Sequence, residues 1–114
     1  MSPGEIGFGP IPSSNVDKNV RYGIVSYEFQ CTPIEFSEWL SNSSVYCEIM
    51  GFNQAESEKA KLKESIYKYI SSGNFGVYLH GTIERKGGEF NVSVTVDDAG
   101  NNLLHVVASI FKQP

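Results

Sequence analysis

The chain has 114 residues, 40% of them hydrophobic and 12% aromatic, enough to bury one core without disulfides or metal and too apolar for a disordered polypeptide. Its formal charge of −4 and pI near 5.1 argue against an unassisted nucleic-acid binder, whose hold on phosphates comes from clustered Lys and Arg, and fit a basic partner better. No stretch approaches the ~20 apolar residues of a membrane span, and the opening MSPGEIGFGP lacks the basic and apolar regions of a signal peptide, so a cytoplasmic protein is expected.

Residues 1–19 hold three Gly and three Pro and cannot form a regular helix. They read as a loosely ordered N-terminal arm, with Ile6, Phe8 and Ile11 as spaced apolar anchors that would let it dock along the sheet or a partner instead. Residues 20–114 read as a single α+β domain. Its first element, VRYGIVSYEFQC over residues 20–31, is rich in β-branched and aromatic residues and is expected as one strand covered on both faces.

A strong helix start follows. Thr32 as N-cap, Pro33 at the first helical position and Glu35 at the third form a capping box, and Phe36, Trp39 and Leu40 supply the buried stripe of a helix ending near Asn42. Residues 45–50, VYCEIM, are too few to separate a short strand from an irregular packed segment. A longer helix begins after Asn53, a candidate N-cap with Glu56 three residues on. Leu62, Ile66, Tyr69 and Ile70 form its apolar face, and Gly73 ends it.

Residues 74–112 read as a three-stranded antiparallel meander. Phe75, Val77, Leu79, Gly81 and Ile83 alternate with polar residues, as do Phe90, Val92, Val94 and Val96, the period of strands with one buried face. A turn at Gly87 and Gly88 sets Ile83 opposite Val92 and Leu79 opposite Val96. A three-residue loop at Ala99, Gly100 and Asn101 sets Val96 opposite Leu104 and Val94 opposite Val106. Gly76 and Gly81 inside the first strand fit a bulge or close helix packing. The expected fold is therefore α+β: an antiparallel sheet, made of this meander plus the N-terminal strand, with two helices packed on one face.

Two constellations could carry function. The register above lines up His80, Thr95 and His105 on the face away from the core, with the histidines roughly 10 Å apart, so they could act as acid and base across a small substrate. Against it stands the ordinary reading of a polar, solvated sheet face. No metal-ligand spacing, P-loop, nucleophile elbow or zincin motif is present, so neither a cofactor nor a metal site is expected. Cys31 and Cys47 read as two free buried thiols, with one disulfide as the alternative.

The second constellation is a segregation of charge. Between Tyr22 and Glu58 stand six acids, Glu28, Glu35, Glu38, Glu48, Glu56 and Glu58, and no Lys or Arg, while Asp97 and Asp98 add an acidic turn. Helix N-termini account for Glu35, Glu38, Glu56 and Glu58. Trp39, Tyr46 and Phe52 are interleaved with these carboxylates, and aromatics among charges suit an electrostatically steered interface with a basic protein. The expected partner-binding residues are Glu35, Glu38, Trp39, Tyr46, Glu48, Glu56, Glu58, Asp97 and Asp98. The last strand, LLHVVASIF, is apolar on both faces. Its outer set, Leu103, Val107 and Phe111, needs a cover from the chain itself, from a second copy in a homodimer, or from a partner.

A small acidic α+β domain with aromatics set among carboxylates resembles the immunity proteins of bacterial polymorphic toxin systems, including those of contact-dependent growth inhibition. The resemblance rests on the profile of the whole chain rather than on a motif. It implies an antitoxin without enzymatic activity that binds one cognate toxin, often a basic nuclease, and blocks its active site. A phage-encoded inhibitor of a host nucleic-acid enzyme would use the same acidic surface. A small enzyme or ligand-binding domain built on His80 and His105 is the reading from another class.

Overall fold

The computed structural model describes residues 8–21, 23–52 and 55–112. The stretch expected as one strand over 20–31 is instead a hairpin. Strand β1 (Asp17–Arg21) pairs antiparallel with β2 (Ile24–Cys31), with Arg21 opposite Ile24 across a turn in which Gly23 has φ of 79°. Such a turn needs the left-handed backbone that glycine tolerates. The boundary expected between residues 19 and 20 therefore falls inside β1. Tyr22 and the candidate anchor Ile6 lie outside the described residues. Phe8 is buried, and Ile11 and Val16 pack against the core, so residues 8–16 are docked rather than loose.

The chain then makes α1 (Pro33–Asn42), α2 (Ser44–Met50), α3 (Glu56–Ser71), β3 (Gly76–Arg85), β4 (Gly88–Gly100) and β5 (Leu103–Lys112). The capping box forms as its residues dictate: the Glu35 amide donates to Thr32 Oγ1, and the Thr32 amide donates to the Glu35 carboxylate at 2.9 Å. The ambiguous segment around residues 45–50 is a helix, because the Ser43 hydroxyl accepts from the Tyr46 amide and starts a new turn. Helix α3 has Ala55 as its N-cap, with no side-chain cap bond. The candidate cap Asn53 lies outside the described residues.

The five strands form one antiparallel sheet in the order β1-β2-β5-β4-β3. Both hairpins of the meander are displaced by two residues from the register read off the sequence. Arg85 pairs with Gly88, so Ile83 faces Phe90 and Leu79 faces Val94. Gly100 pairs with Leu103 around Asn101 and Asn102, both at positive φ, so Val96 faces Val106 and Val94 faces Ala108. A shift of two keeps every side chain on its own face, so alternation could not separate the two registers.

Strand β5 lies inside the sheet with β2 on one edge and β4 on the other, so a homodimer built on it would have to use its outward side chains, not its edge. On that face Val107 sits between Glu28 and Thr95, and Phe111 between Ile24 and Asn91. The other face carries the core. Leu79, Ile83, Val92, Val94, Val96, Leu104 and Val106 pack with Phe36, Trp39, Leu40, Val45, Ile66 and Ile70 of the three helices. No helix among the described residues is long and apolar enough to cross a membrane.

Helix α2 approaches β3 at Gly81, where a Cβ would lie 2.4 Å from Ile49 Cγ2. Such an overlap forces the backbone or the isoleucine to move, so Gly81→Ala is expected to cost about 1–3 kcal/mol in a urea titration. Ile49→Ala in the same background should recover part of that loss, because it removes the obstructing methyl. A neutral Gly81→Ala would contradict this packing.

Candidate functional site

The structure divides the nine expected partner-binding residues among different environments. Trp39 and Tyr46 are in the core, so they cannot serve as surface anchors. Trp39 packs against Phe8, Phe29 and Phe36 with ring centroids 5.4–6.1 Å apart, and Tyr46 stacks on Phe52. Glu48 receives two hydrogen bonds from Arg85, at 2.9 and 3.2 Å, and the guanidinium holds its carboxyl below the usual carboxylate range. Glu38 lies 3.9 Å from Lys63. Glu56 and Glu58 are exposed in the first turn of α3.

The acids also do not form one patch. Asp98 lines a cleft with Ser71 at the C-terminal end of α3, whereas Glu56 is at the other end of that helix, about 22 Å away at 1.5 Å per residue. Arg85 and its partner Glu48 are ten residues of β4 from Asp98, roughly 30 Å at strand spacing. Of the remaining three carboxylates only Asp98 lines this cleft; Asp97, which pairs with His105, is on the opposite face of the sheet, and Glu35 lines a separate hollow with Phe8, Glu38 and Trp39.

The two histidines are separated by the register shift. His80 pairs with Ser93, which pairs with Ser109, while His105 pairs with Asp97. Four residues along the strand and two strand spacings put them roughly 16 Å apart, too far to work on one small substrate. His105 Nε2 instead lies 2.7 Å from Glu28 Oε2 on the neighbouring strand. Among the described residues no group of three His, Cys, Asp or Glu side chains could hold a metal ion. Cys31 and Cys47 are free and buried.

The cleft at the Asp98 end has a volume of about 300 Å³. Its position follows from the sheet. Cys31 pairs with Leu104 and Leu104 with Asp98, so the start of α1, directly after Cys31, lies beside the β4–β5 turn. Helix α3 runs back along α1, bringing Tyr67, Ile70 and Ser71 against Thr32, Pro33 and Ile34. Phe75 closes the cleft from the α3–β3 connection, and Asp98, Asn102, Leu103 and Leu104 form the remaining wall.

Three apolar side chains around it stay in solvent: Ile34, Tyr67 and Phe75 are 41–49% exposed. Asp98 Oδ1 accepts from the Gly100 amide at 3.1 Å, which orients the carboxylate. The described lining residues include no Lys or Arg. The wall carrying Phe75 is tied down: the Tyr78 hydroxyl donates to the Asn74 carbonyl, and Asn74 Nδ2 donates to the Tyr69 carbonyl at 3.0 Å.

Ile34, Tyr67 and Phe75 are absent from the set expected from sequence. Tyr67 is one residue from Ile66 and so about 100° round the helix, off the buried stripe, and an aromatic in that position was its only signal. Strict alternation predicts Phe75 and Val77 on the buried face of the first meander strand. A register irregularity between Val77 and Leu79 breaks the alternation there, so Val77 pairs with Thr95 on the outer face and both residues are exposed. Gly76, with φ of 120°, stands beside that irregularity.

Burial pushes the Tyr78 hydroxyl up to about 12, and the Cys31 thiol likewise to about 12, with the charge of Glu35 adding to the effect at Cys31. Both groups stay protonated in the fold at a pH where the unfolded chain would lose the proton. Their contribution is thus complete below the unfolded values, near 9 for Cys31 and 10 for Tyr78, and is lost as pH rises toward 12. Urea titrations across this range should show stability falling with pH, and the fall should be shallower in Cys31→Ala and in Tyr78→Phe. An identical slope in both variants would contradict the burial of these groups.

No protein-family model, curated protein or solved structure matches this chain.

Proposed function

We propose that this protein is a stoichiometric inhibitor of the immunity-protein kind, which binds a basic protein, a nuclease toxin, and occludes its cationic active site. The observation that carries the reading is the cleft end of the molecule, where exposed Ile34, Tyr67 and Phe75 surround a hollow walled by Asp98. Exposed aromatics next to carboxylates combine the two requirements of a steered interface. The rings lose water on contact and hold the partner, while the carboxylates draw it in and reject acidic competitors.

The acidic groups here stand where a nuclease expects phosphates. A carboxylate offers the same charge and acceptor oxygens to Lys and Arg without a scissile bond. Glu56 and Glu58 at the far end of α3, and the Glu48–Arg85 pair, lie outside this interface.

The test begins with the reading frame beside this one in the source genome. Its product should be basic and should arrest growth when expressed alone, and co-expression of this chain should restore growth. Reversing the cleft charge, Asp98→Lys, should weaken binding on the order of 100-fold and abolish protection. Tyr67→Ala, at a residue with no hydrogen bond or ring contact to other described residues, should weaken it on the order of tenfold. Glu56→Lys with Glu58→Lys should leave protection intact. Protection that survives Asp98→Lys, or a neighbouring product with no toxicity, would overturn the proposal.

A further inference from the structure

The cleft, about 300 Å³ in volume, has one carboxylate, Asp98, and two exposed rings, Tyr67 and Phe75, around it. We infer that it receives a single arginine of the partner, the guanidinium lying against Tyr67 and Phe75 and meeting the carboxylate of Asp98. The inference rests on the inhibitor reading and names the chemistry that the interface selects.

Four features favour a planar cation over a neutral or acidic group. First, Asp98 has one carboxylate oxygen engaged by the Gly100 amide, and no other interaction with described residues, so the other oxygen is available to an incoming donor. Second, the hollow lies at the C-terminal end of α3, a 16-residue helix whose dipole puts partial negative charge there.

Third, the opposing positive end of α1 is compensated, because Glu35 accepts from both the amide and the hydroxyl of Thr32, at 2.9 and 3.0 Å. Fourth, the one basic residue in the last turn of α3, Lys68, is paired with Glu64 at 3.0 Å.

Arginine fits these features better than lysine. Its flat guanidinium stacks on aromatic faces, and its donors spread in one plane, so it can contact a ring and a carboxylate together. Lysine, a compact and strongly hydrated charge, gains less from the rings. A partner arginine held here would be taken out of the nuclease's own phosphate-binding set.

The test uses the full chain without any toxin. Amide chemical shifts are followed by NMR while the capped tripeptide acetyl-Gly-Arg-Gly-amide is added, with lysine and citrulline tripeptides in parallel. The arginine peptide should give saturable shifts at Ser71, Gly73, Asp98 and Leu103, with a Kd on the order of a millimolar for so small a ligand.

Citrulline, which keeps the shape and loses the charge, should bind at least about fivefold more weakly, and lysine more weakly than arginine. Asp98→Asn keeps the acceptor for Gly100 and should lower arginine affinity to the citrulline level. Tyr67→Leu should weaken arginine binding while leaving citrulline little changed. Equal binding of arginine and citrulline, shifts confined to the Glu56 and Glu58 end, or an unaltered Asp98→Asn would overturn the inference. Toxin protection that persists in a variant unable to bind arginine would overturn it alone, whereas arginine binding by this chain together with a neighbouring reading frame whose product is not toxic would overturn only the inhibitor reading.

Discussion

The ring of Trp39 lies where residues 8–16, strand β2 and helix α1 meet, in contact with Phe8, Phe29 and Phe36. Each of those rings comes from a different part of the chain, so one side chain fixes the arm, the sheet and the helical layer relative to one another. Rings packed edge-on and tilted at these distances hold their neighbours in one geometry as well as burying area. With α1 set, its capped N-terminus can only emerge beside Leu104 and Asp98, and α3, returning along α1, has to end at the same place. The cleft is thus a consequence of how the core is joined.

The internal economy of charge narrows where a partner can be met. The excess of acids over bases between residues 22 and 58 overstates the free charge of that region. Glu28 faces His105, Glu38 faces Lys63, Glu48 is held by Arg85, and Glu35 closes a helix cap. Exposed ion pairs of this kind contribute little to stability, on the order of 0–1 kcal/mol each. The Lys63 and Arg85 pairs cancel part of the long-range field of Glu38 and Glu48 and leave Asp98 more prominent than the sequence count implies.

Much of the fold was legible in the residues. Thr32, Pro33 and Glu35 announce α1 because a capping box is local chemistry, decided within one turn. The buried faces of β4 and β5 were equally plain, since Val92, Val94 and Val96 alternate without interruption. Gly81 reads from sequence as a bulge or a close-packing site, and the structure shows the second, with Ile49 as its neighbour.

What escaped were matters of tertiary choice. Parity cannot distinguish a hairpin register from one displaced by two residues, so the pairing of His80 with His105 across Thr95 had no local signal to correct it. The irregularity beside Tyr78 exposes Phe75 and Val77, yet their sequence continues the buried alternation. Trp39 and Tyr46 stand among acids in sequence and inside the core in space, because a helix places neighbours on opposite faces. The acidic excess does not form one patch, and only Asp98 stands beside the exposed rings of Tyr67 and Phe75 at the cleft.

The proposed binding face for a basic partner is the end of the molecule where α1 begins and α3 finishes. Amide hydrogen exchange of this chain, free and in complex with the product of the neighbouring reading frame, tests it most directly. The account predicts added protection in residues 32–35, 67–75 and 97–104, with the first turn of α3 and the outward face of β5 unchanged. Protection centred on Glu56 and Glu58, or across the outer face around Val107 and Phe111, would contradict it.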